Sequence, residues 1–450
     1  MLREDFIWGG AVTAHQSEGA YTEGGKSPAV CDLVPKPEVS DFKDGIDSYH
    51  RYDEDFALLE DLGMKCFRFS VDWSRVMPDG EHWSEEGLAF YDRFIDSMIA
   101  HGLEPMCSLY HFEMPQVLME KHNGFASREV TEKFVQMAEA LIDRWHDKIK
   151  YWISFNEQNS IGLEDSHKIM YGAVRPEGVS ERKFTAQVVH NTFVAHAKVA
   201  RKVHSYPNLK MLGMVIYIPL YPATCHPQDQ LESREAMAVQ DMYLDMFARG
   251  AYTSLMWKRW EDADALPEME EGDLELLKDS VCDWLTFSYY FSSVASRGKK
   301  SIDMNGNAEM LKNPYLKASE WGWQIDPDGL QLALLDLEAK YHMPVMIVEN
   351  GYGTRDEVVD GKIEDDERIA YMADHMEAMK RAVKQGVDLR GYLMWAPIDI
   401  LSSQGDMDKR YGVVYVNRTN KELKDMKRIP KKSYDWLKSV IACNGETTGA

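Results

Sequence analysis

Positive charge is in short supply in this chain of 450 residues. Its 51 Lys and Arg face 74 Asp and Glu, a formal net charge of −23. A balance so acidic argues against a general nucleic-acid or anionic-membrane surface. Long apolar runs are missing too, and none reaches the roughly eighteen residues of a membrane span. The opening, Met1-Leu2-Arg3-Glu4-Asp5-Phe6, lacks the apolar core of a signal peptide. Cysteine is sparse: Cys31, Cys66, Cys107, Cys225, Cys282 and Cys443, with no Cys-x-x-Cys pair. Cys66, Cys107, Cys225 and Cys282 lie in or near apolar runs, which predicts buried, reduced thiols and a cytoplasmic protein, not disulfides or zinc. No Gly-x-Gly-x-x-Gly, Walker-type or Gly-x-Ser-x-Gly motif occurs. His190 and His196 are not spaced as a zinc pair on a helix. No cofactor and no metal is expected.

What the chain does have is alternation. Hydrophobic residues make up 44% of it, enough for a large core. Short apolar runs at 5–12, 66–71, 103–110, 151–157, 210–218, 282–290, 345–348 and 391–395 read as buried strands. Helical periodicity fills the intervals, as in Val130, Phe134, Met137, Leu141 and Trp145 behind a candidate N-cap at Ser127. Eight such alternations without an internal linker predict one (β/α)₈ TIM barrel with extended βα loops, a single catalytic domain over 1–450. The non-periodic stretches 19–45, 159–179, 257–272, 292–324 and 399–428 read as loops, most of them shaping a pocket at the catalytic face.

Two of the predicted strands run into a carboxylate. The stretch 151–157 ends in Asn156-Glu157, and 345–348 leads to Glu349-Asn350-Gly351. Two glutamates at strand ends face one another across a barrel mouth, the arrangement that glycoside hydrolysis needs. Other strand ends carry polar groups suited to sugar hydroxyls: His15-Gln16-Ser17-Glu18 after the first, Tyr110-His111-Phe112-Glu113-Met114-Pro115 after the third and Trp395 on the eighth. Arg68 and Tyr290 are placed to hold a carboxylate ionised.

The segments Phe6-Ile-Trp-Gly-Gly10, His15-Gln-Ser-Glu-Gly-Ala20, Phe67-Arg-Phe-Ser70, Trp73-Ser-Arg75, His111-Phe-Glu-Met-Pro115, Phe155-Asn-Glu157 and Ile347-Val-Glu-Asn-Gly351 together resemble the signature series of glycoside hydrolase family 1. The resemblance runs in family order through almost the whole chain. It implies a retaining β-glycosidase with Glu157 as acid/base and Glu349 as nucleophile. It also implies a glycone subsite lined by Gln16, His111, Asn156 and Trp395. Gln158 and Ser288 depart from the pattern, where many members carry proline and asparagine, and neither is expected to touch the two carboxylates.

The loop after the eighth strand, Asp399 to Gly412, lacks the Glu-Trp pair that grips the outer hydroxyls in members acting on plain glucosides. It is similar to the 6-phospho-β-glucosidase branch, whose serine, lysine and tyrosine hold the substrate phosphate. Here those residues are Ser403, or Ser402 if the loop is one residue shorter, with Lys409 and Tyr411. Losing a carboxylate removes repulsion for a dianion, and Lys409 supplies a charge-assisted donor. The expected activity is hydrolysis of 6-phospho-β-glucosides, cellobiose-like or aryl, to glucose 6-phosphate. The rivals are a β-glucosidase for unphosphorylated substrates and a sugar-phosphate-binding protein without catalysis. The expected partner is the small phosphorylated substrate, with no nucleic acid and no membrane. Self-association is left open.

Overall fold

A computed structural model of the chain describes residues 1–33, 38–162, 166–298 and 311–449. Eight parallel strands close into a barrel. They are β1 (Ile7–Ala11), β2 (Cys66–Ser70), β3 (Glu104–Ser108), β4 (Tyr151–Ile153), β5 (Lys210–Ile216), β6 (Trp284–Ser288), β7 (Val345–Asn350) and β8 (Leu389–Trp395). Each pairs with its neighbour in the chain, and β8 returns to β1 with Gly9 opposite Leu393. Helices Ser48–Leu62, Glu85–Ala100, Arg128–Trp145, Glu181–His204, Pro227–Arg249, Pro327–Tyr341 and Asp366–Lys384 fill the intervals, and Lys432–Ala442 follows β8. The fold is the (β/α)₈ barrel expected from the alternation.

The strands are buried on both faces, one against the barrel interior and one under the helices. All five residues of β2 and all six of β7 are buried. That is why they read as near-continuous apolar runs instead of alternating ones. The helices begin where side chains can satisfy free N–H groups: Ser127 Oγ accepts from Glu129 N at 3.2 Å, and Asp326 Oδ1 from Gly329 N at 2.8 Å. Val130, Phe134, Met137, Leu141 and Trp145 are buried as their spacing predicts. Gly63 ends its helix at φ 83, a left-handed conformation that glycine adopts without a Cβ penalty.

Three local expectations are corrected. The ladder of β4 stops at Ile153, not at residue 157. Beyond it Phe155 turns into the cluster with Phe125 and Phe134 at 5.4 and 4.8 Å, and Glu157 takes a left-handed φ of 37. Within 257–272, read as a loop, residues belong to helix Ser254–Asp262, capped by Thr253 Oγ1 on Met256 N and paired by Lys258 with Asp262. Cys225 is exposed, whereas Cys31 is buried, and all six cysteines are free. Among the described residues no helix is long and apolar enough to cross a membrane. Parts of the loops at 19–45, 159–179 and 292–324 lie outside the described residues.

Candidate active site

Register brings the two glutamates together. Ser288, last in β6, stands opposite Glu349 on β7. Its hydroxyl donates to Glu157 Oε1, so one serine links the ends of β4, β6 and β7. This corrects the expectation for Ser288, whose departure from the family pattern does touch one of the two carboxylates, Glu157. Gln158, by contrast, is turned inward, with Nε2 donating to Thr192 Oγ1 at 3.2 Å.

A second link is Arg68, fully buried on β2. Its Nη1 donates to Glu349 Oε1 at 2.6 Å, Nη2 to Asn156 Oδ1 at 2.6 Å, and Nε to Ser108 Oγ at 2.9 Å. Tyr290 OH adds a bond to Glu349 Oε2 at 2.8 Å. Glu349 therefore receives a guanidinium and a phenol, while among the described residues Glu157 receives hydroxyls, from Ser288 and from Ser160 at 3.2 Å. The electrostatics follow. Loss of solvent and then the Glu349 charge push Glu157 up to about 7, against the two serines. Burial raises Glu349 as well, but Arg68 and Tyr290 pull it back. Glu157 is set up to hold a proton near neutral pH, whereas Glu349 has two partners that favour its charge.

The polar residues expected around the sugar are gathered here. Gln16 is buried, its Nε2 bonded to Leu401 O at 2.6 Å, which ties the β1 loop to the β8 loop. The His111 and Trp395 rings lie 5.8 Å apart, tilted by 34°. Burial, with the charges of Arg68 and His15, pushes the His111 imidazole well below its usual pKa, so the ring is neutral. Its Nδ1 is buried without a hydrogen-bond partner among the described residues.

Two acids of the polar strand-end segments, Glu113 and Glu18, had no individual role assigned from the sequence. Glu113, fully buried, accepts from Thr13 Oγ1 at 2.8 Å, Ser70 Oγ at 2.6 Å and His111 N at 2.9 Å, and so sets the backbone that carries His111. Glu18 faces Arg75 Nε at 3.0 Å and Tyr91 OH at 2.7 Å, a structural role. The signal for Glu113 was its place two residues after His111.

The loop after β8 is closed by Asp399. This carboxylate accepts from Arg410 Nη1 at 2.8 Å, Gly412 N at 2.9 Å and Lys431 Nζ at 2.7 Å, gripping both ends of the loop. Arg410 and Thr354 exchange backbone bonds at 3.0 Å each, which lays the loop along the segment that follows Glu349. The approach is close: a Cβ at Gly353 would lie 2.8 Å from Lys409 Cε. Lys409 and Tyr411 are buried, not solvated. Burial pulls the Lys409 ammonium down to about 8, with Asp406 opposing. Of the two serines, Ser402 is buried and Ser403 exposed. Ser402 Oγ accepts from Gln404 N at 3.3 Å and Asp406 N at 3.1 Å, leaving its own hydrogen free to donate.

Comparison with known proteins agrees with this geometry. The model of the family described as glycosyl hydrolase family 1 matches residues 1–446. The aryl-phospho-β-D-glucosidase BglH of Bacillus subtilis (strain 168) is 41% identical over 463 aligned positions, which span 99% of this chain and 98% of that protein. A 6-phospho-β-glucosidase of Clostridium longisporum is 38% identical, spanning 99% and 98%. The crystal structure of the family 1 β-glucosidase from Thermotoga maritima superposes with a TM-score of 0.88 at 26% identity, covering 99% of each chain. With barrel, paired carboxylates and whole-length similarity in accord, the chain is a glycoside hydrolase and belongs to glycosyl hydrolase family 1.

Proposed function

We propose that this protein is a retaining 6-phospho-β-glucosidase. Glu349 attacks the anomeric carbon as the bond to the aglycone oxygen breaks, and the Glu157 proton passes to that oxygen. Water then attacks the glycosyl-enzyme, its proton goes to Glu157, and the sugar 6-phosphate leaves Glu349. Arg68 and Tyr290 keep the nucleophile ionised. Gln16, His111, Asn156 and Trp395 hold the glycone. Lys409, Tyr411 and the Ser402-Ser403 pair hold the phosphate, and the free hydrogen on the buried Ser402 favours Ser402 over Ser403. The residues 1–450 act as one catalytic domain. The cytoplasm, where a sugar phosphorylated on uptake is released, is the location that fits.

The observation that carries the phosphate is Lys409, a buried ammonium set against the segment that follows Glu349. The similarity to relatives named for phosphorylated substrates supports it. The test compares an aryl β-glucoside with its 6-phosphate. Charge-assisted bonds of roughly 1.5–3 kcal/mol each predict a preference in kcat/KM on the order of a hundredfold for the phosphorylated form. Equal turnover of both would make the enzyme a plain β-glucosidase. Binding without turnover would leave a non-catalytic protein.

The pH profile is a second expected result. The first step needs Glu157 protonated and Glu349 ionised, so kcat/KM falls as pH rises through about 7 and falls again in acid. Because the Glu349 charge raises Glu157, Glu349→Gln should move the Glu157 titration to lower pH, read by carboxyl NMR on the free enzyme. An unmoved titration would mean that the two groups do not interact.

A further inference from the structure

Lys409 is an unusual lysine for so acidic a protein. Among the described residues it has no carboxylate at ion-pair distance, although 74 acids are present in the chain. Asp406 is the acid that acts on it, but Asp406 Oδ1 already accepts from Asp408 N at 2.9 Å and Asn420 Nδ2 at 2.8 Å. Asp408 and Glu320, from two different loops, both pair with Arg355, at 3.2 and 3.1 Å.

What surrounds the ammonium is aromatic. Lys409 Nζ lies 3.4 Å from the ring centroid of Trp323, with Trp321 and Tyr411 at 5.5 Å each. Trp323 is itself held by rings, Tyr290 and Phe291, both at 5.3 Å. Gln324 Nε2 anchors its loop on Ser292 O at 2.9 Å. Trp323 thus stands between Lys409 and Tyr290, the phenol that bonds to Glu349.

The negative face of an indole attracts a cation without neutralising it or offering it a proton acceptor. A carboxylate in the same place would compete with any incoming anion for the same hydrogens. A ring leaves them free. We propose that Trp323, completed by Trp321 and Tyr411, is a specificity-determining residue that holds the Lys409 ammonium in place and uncommitted, so that it is presented to the substrate phosphate. The proposal rests on the 6-phosphate reading above and adds a residue that does not itself touch the phosphate. Without the ring, the flexible lysine stem is free to turn toward Asp406 or Asp408, and a substrate must first draw it back.

The experiment is the ratio of kcat/KM for the phosphorylated and plain aryl glucosides in Trp323→Leu. Any packing of the ring on the glucose or aglycone affects both substrates and cancels in the ratio. A desolvated cation–ring contact sets the expected drop at about tenfold. Trp323→Phe keeps a ring face and should restore most of the ratio. The pH dependence supplies a readout that a purely structural role would not move. Above about 8 the wild-type ratio should fall as Lys409 loses its proton, and in Trp323→Leu that fall should begin at higher pH, since the ring that buries the ammonium is gone and a carboxylate can meet its charge. The groups facing Lys409 during this titration are Asp406 and Tyr411 on its own loop. Arg355, paired with Asp408 and Glu320, lies against the same Trp321 ring at 5.6 Å.

An unchanged ratio and an unmoved pH dependence in Trp323→Leu would overturn the proposal. Absence of any phosphate preference in the wild type would overturn the function reading itself, so the two failures are distinct. Should the leucine variant not fold, site-specific fluorinated tryptophan at position 323 drains the ring's negative face at nearly constant shape. The ratio should then fall with each added fluorine, and a constant ratio would sink the idea.

Discussion

Glu349→Ala is expected to abolish turnover of every glycoside, those with activated leaving groups included, because in the proposed mechanism Glu349 is the group that attacks the anomeric carbon. Glu349 sits on β7 with both carboxylate oxygens committed, one to Arg68 at 2.6 Å and one to Tyr290 at 2.8 Å. Those two donors favour its charged form and fix its orientation, as the proposed nucleophile requires. Glu157→Ala should behave differently. In the proposed mechanism it supplies a proton in the first step, so substrates with poor leaving groups should lose about 10²- to 10⁴-fold. A leaving group stable as an anion needs no proton, and its release should persist as a rapid burst followed by slow turnover. Stopped-flow measurement of that burst decides the matter. Equal loss of the first step in both variants would remove the assignment of roles. Arg68→Met is a useful companion: without the guanidinium, the burial that already raises Glu349 loses its main counterweight, with Tyr290 remaining, and the acid limb of the profile should shift to higher pH.

Lys409→Ala should cost on the order of ten- to a hundredfold in kcat/KM on the 6-phosphorylated substrate and hardly change the plain one. The phosphate is remote from the scissile bond, so part of the loss is expected in kcat, as poorer positioning, and part in KM. Salt should weaken the wild-type preference only modestly, since a buried cation is poorly screened. Lys409→Arg keeps the charge but not the shape, and Gly353 leaves little room: a single Cβ there would already crowd Lys409 Cε and Cγ at 2.8 Å. A loss shared equally by both substrates in Lys409→Ala would make the residue a packing element and take away the main support for the phosphate.

Much of this protein could be read from its residues in order. The strands declared themselves because parallel barrel strands are buried on both faces, so 66–71 and 345–348 carry a dense apolar signal. Boundaries were less legible. The apolar character of Tyr151 to Phe155 continues past the end of β4, because Phe155 is buried among helix residues after the ladder has ended. Helix Ser254–Asp262 was missed because only Met256 and Trp260 are buried on it, too few for a periodic stripe.

For the site, the chain order alone placed Glu157 and Glu349 at strand ends, since a carboxylate that follows an apolar run must emerge where the barrel opens. The types of residue also named Arg68, Tyr290, His111 and Lys409. What the order of residues could not carry was the contact between them. That Ser288 reaches Glu157 depends on the stagger of β6 against β7. That Glu157 is raised to about 7 while Glu349 is pulled back depends on which of them Arg68 meets across the barrel. That Lys409 is buried against Trp323 instead of solvated depends on two loops, 86 positions apart in the chain, closing on one another. Local patterns determine elements because propensity and periodicity act over a few residues. Protonation, pairing and presentation of charge are set by neighbours distant in sequence, and only the closed barrel decides them.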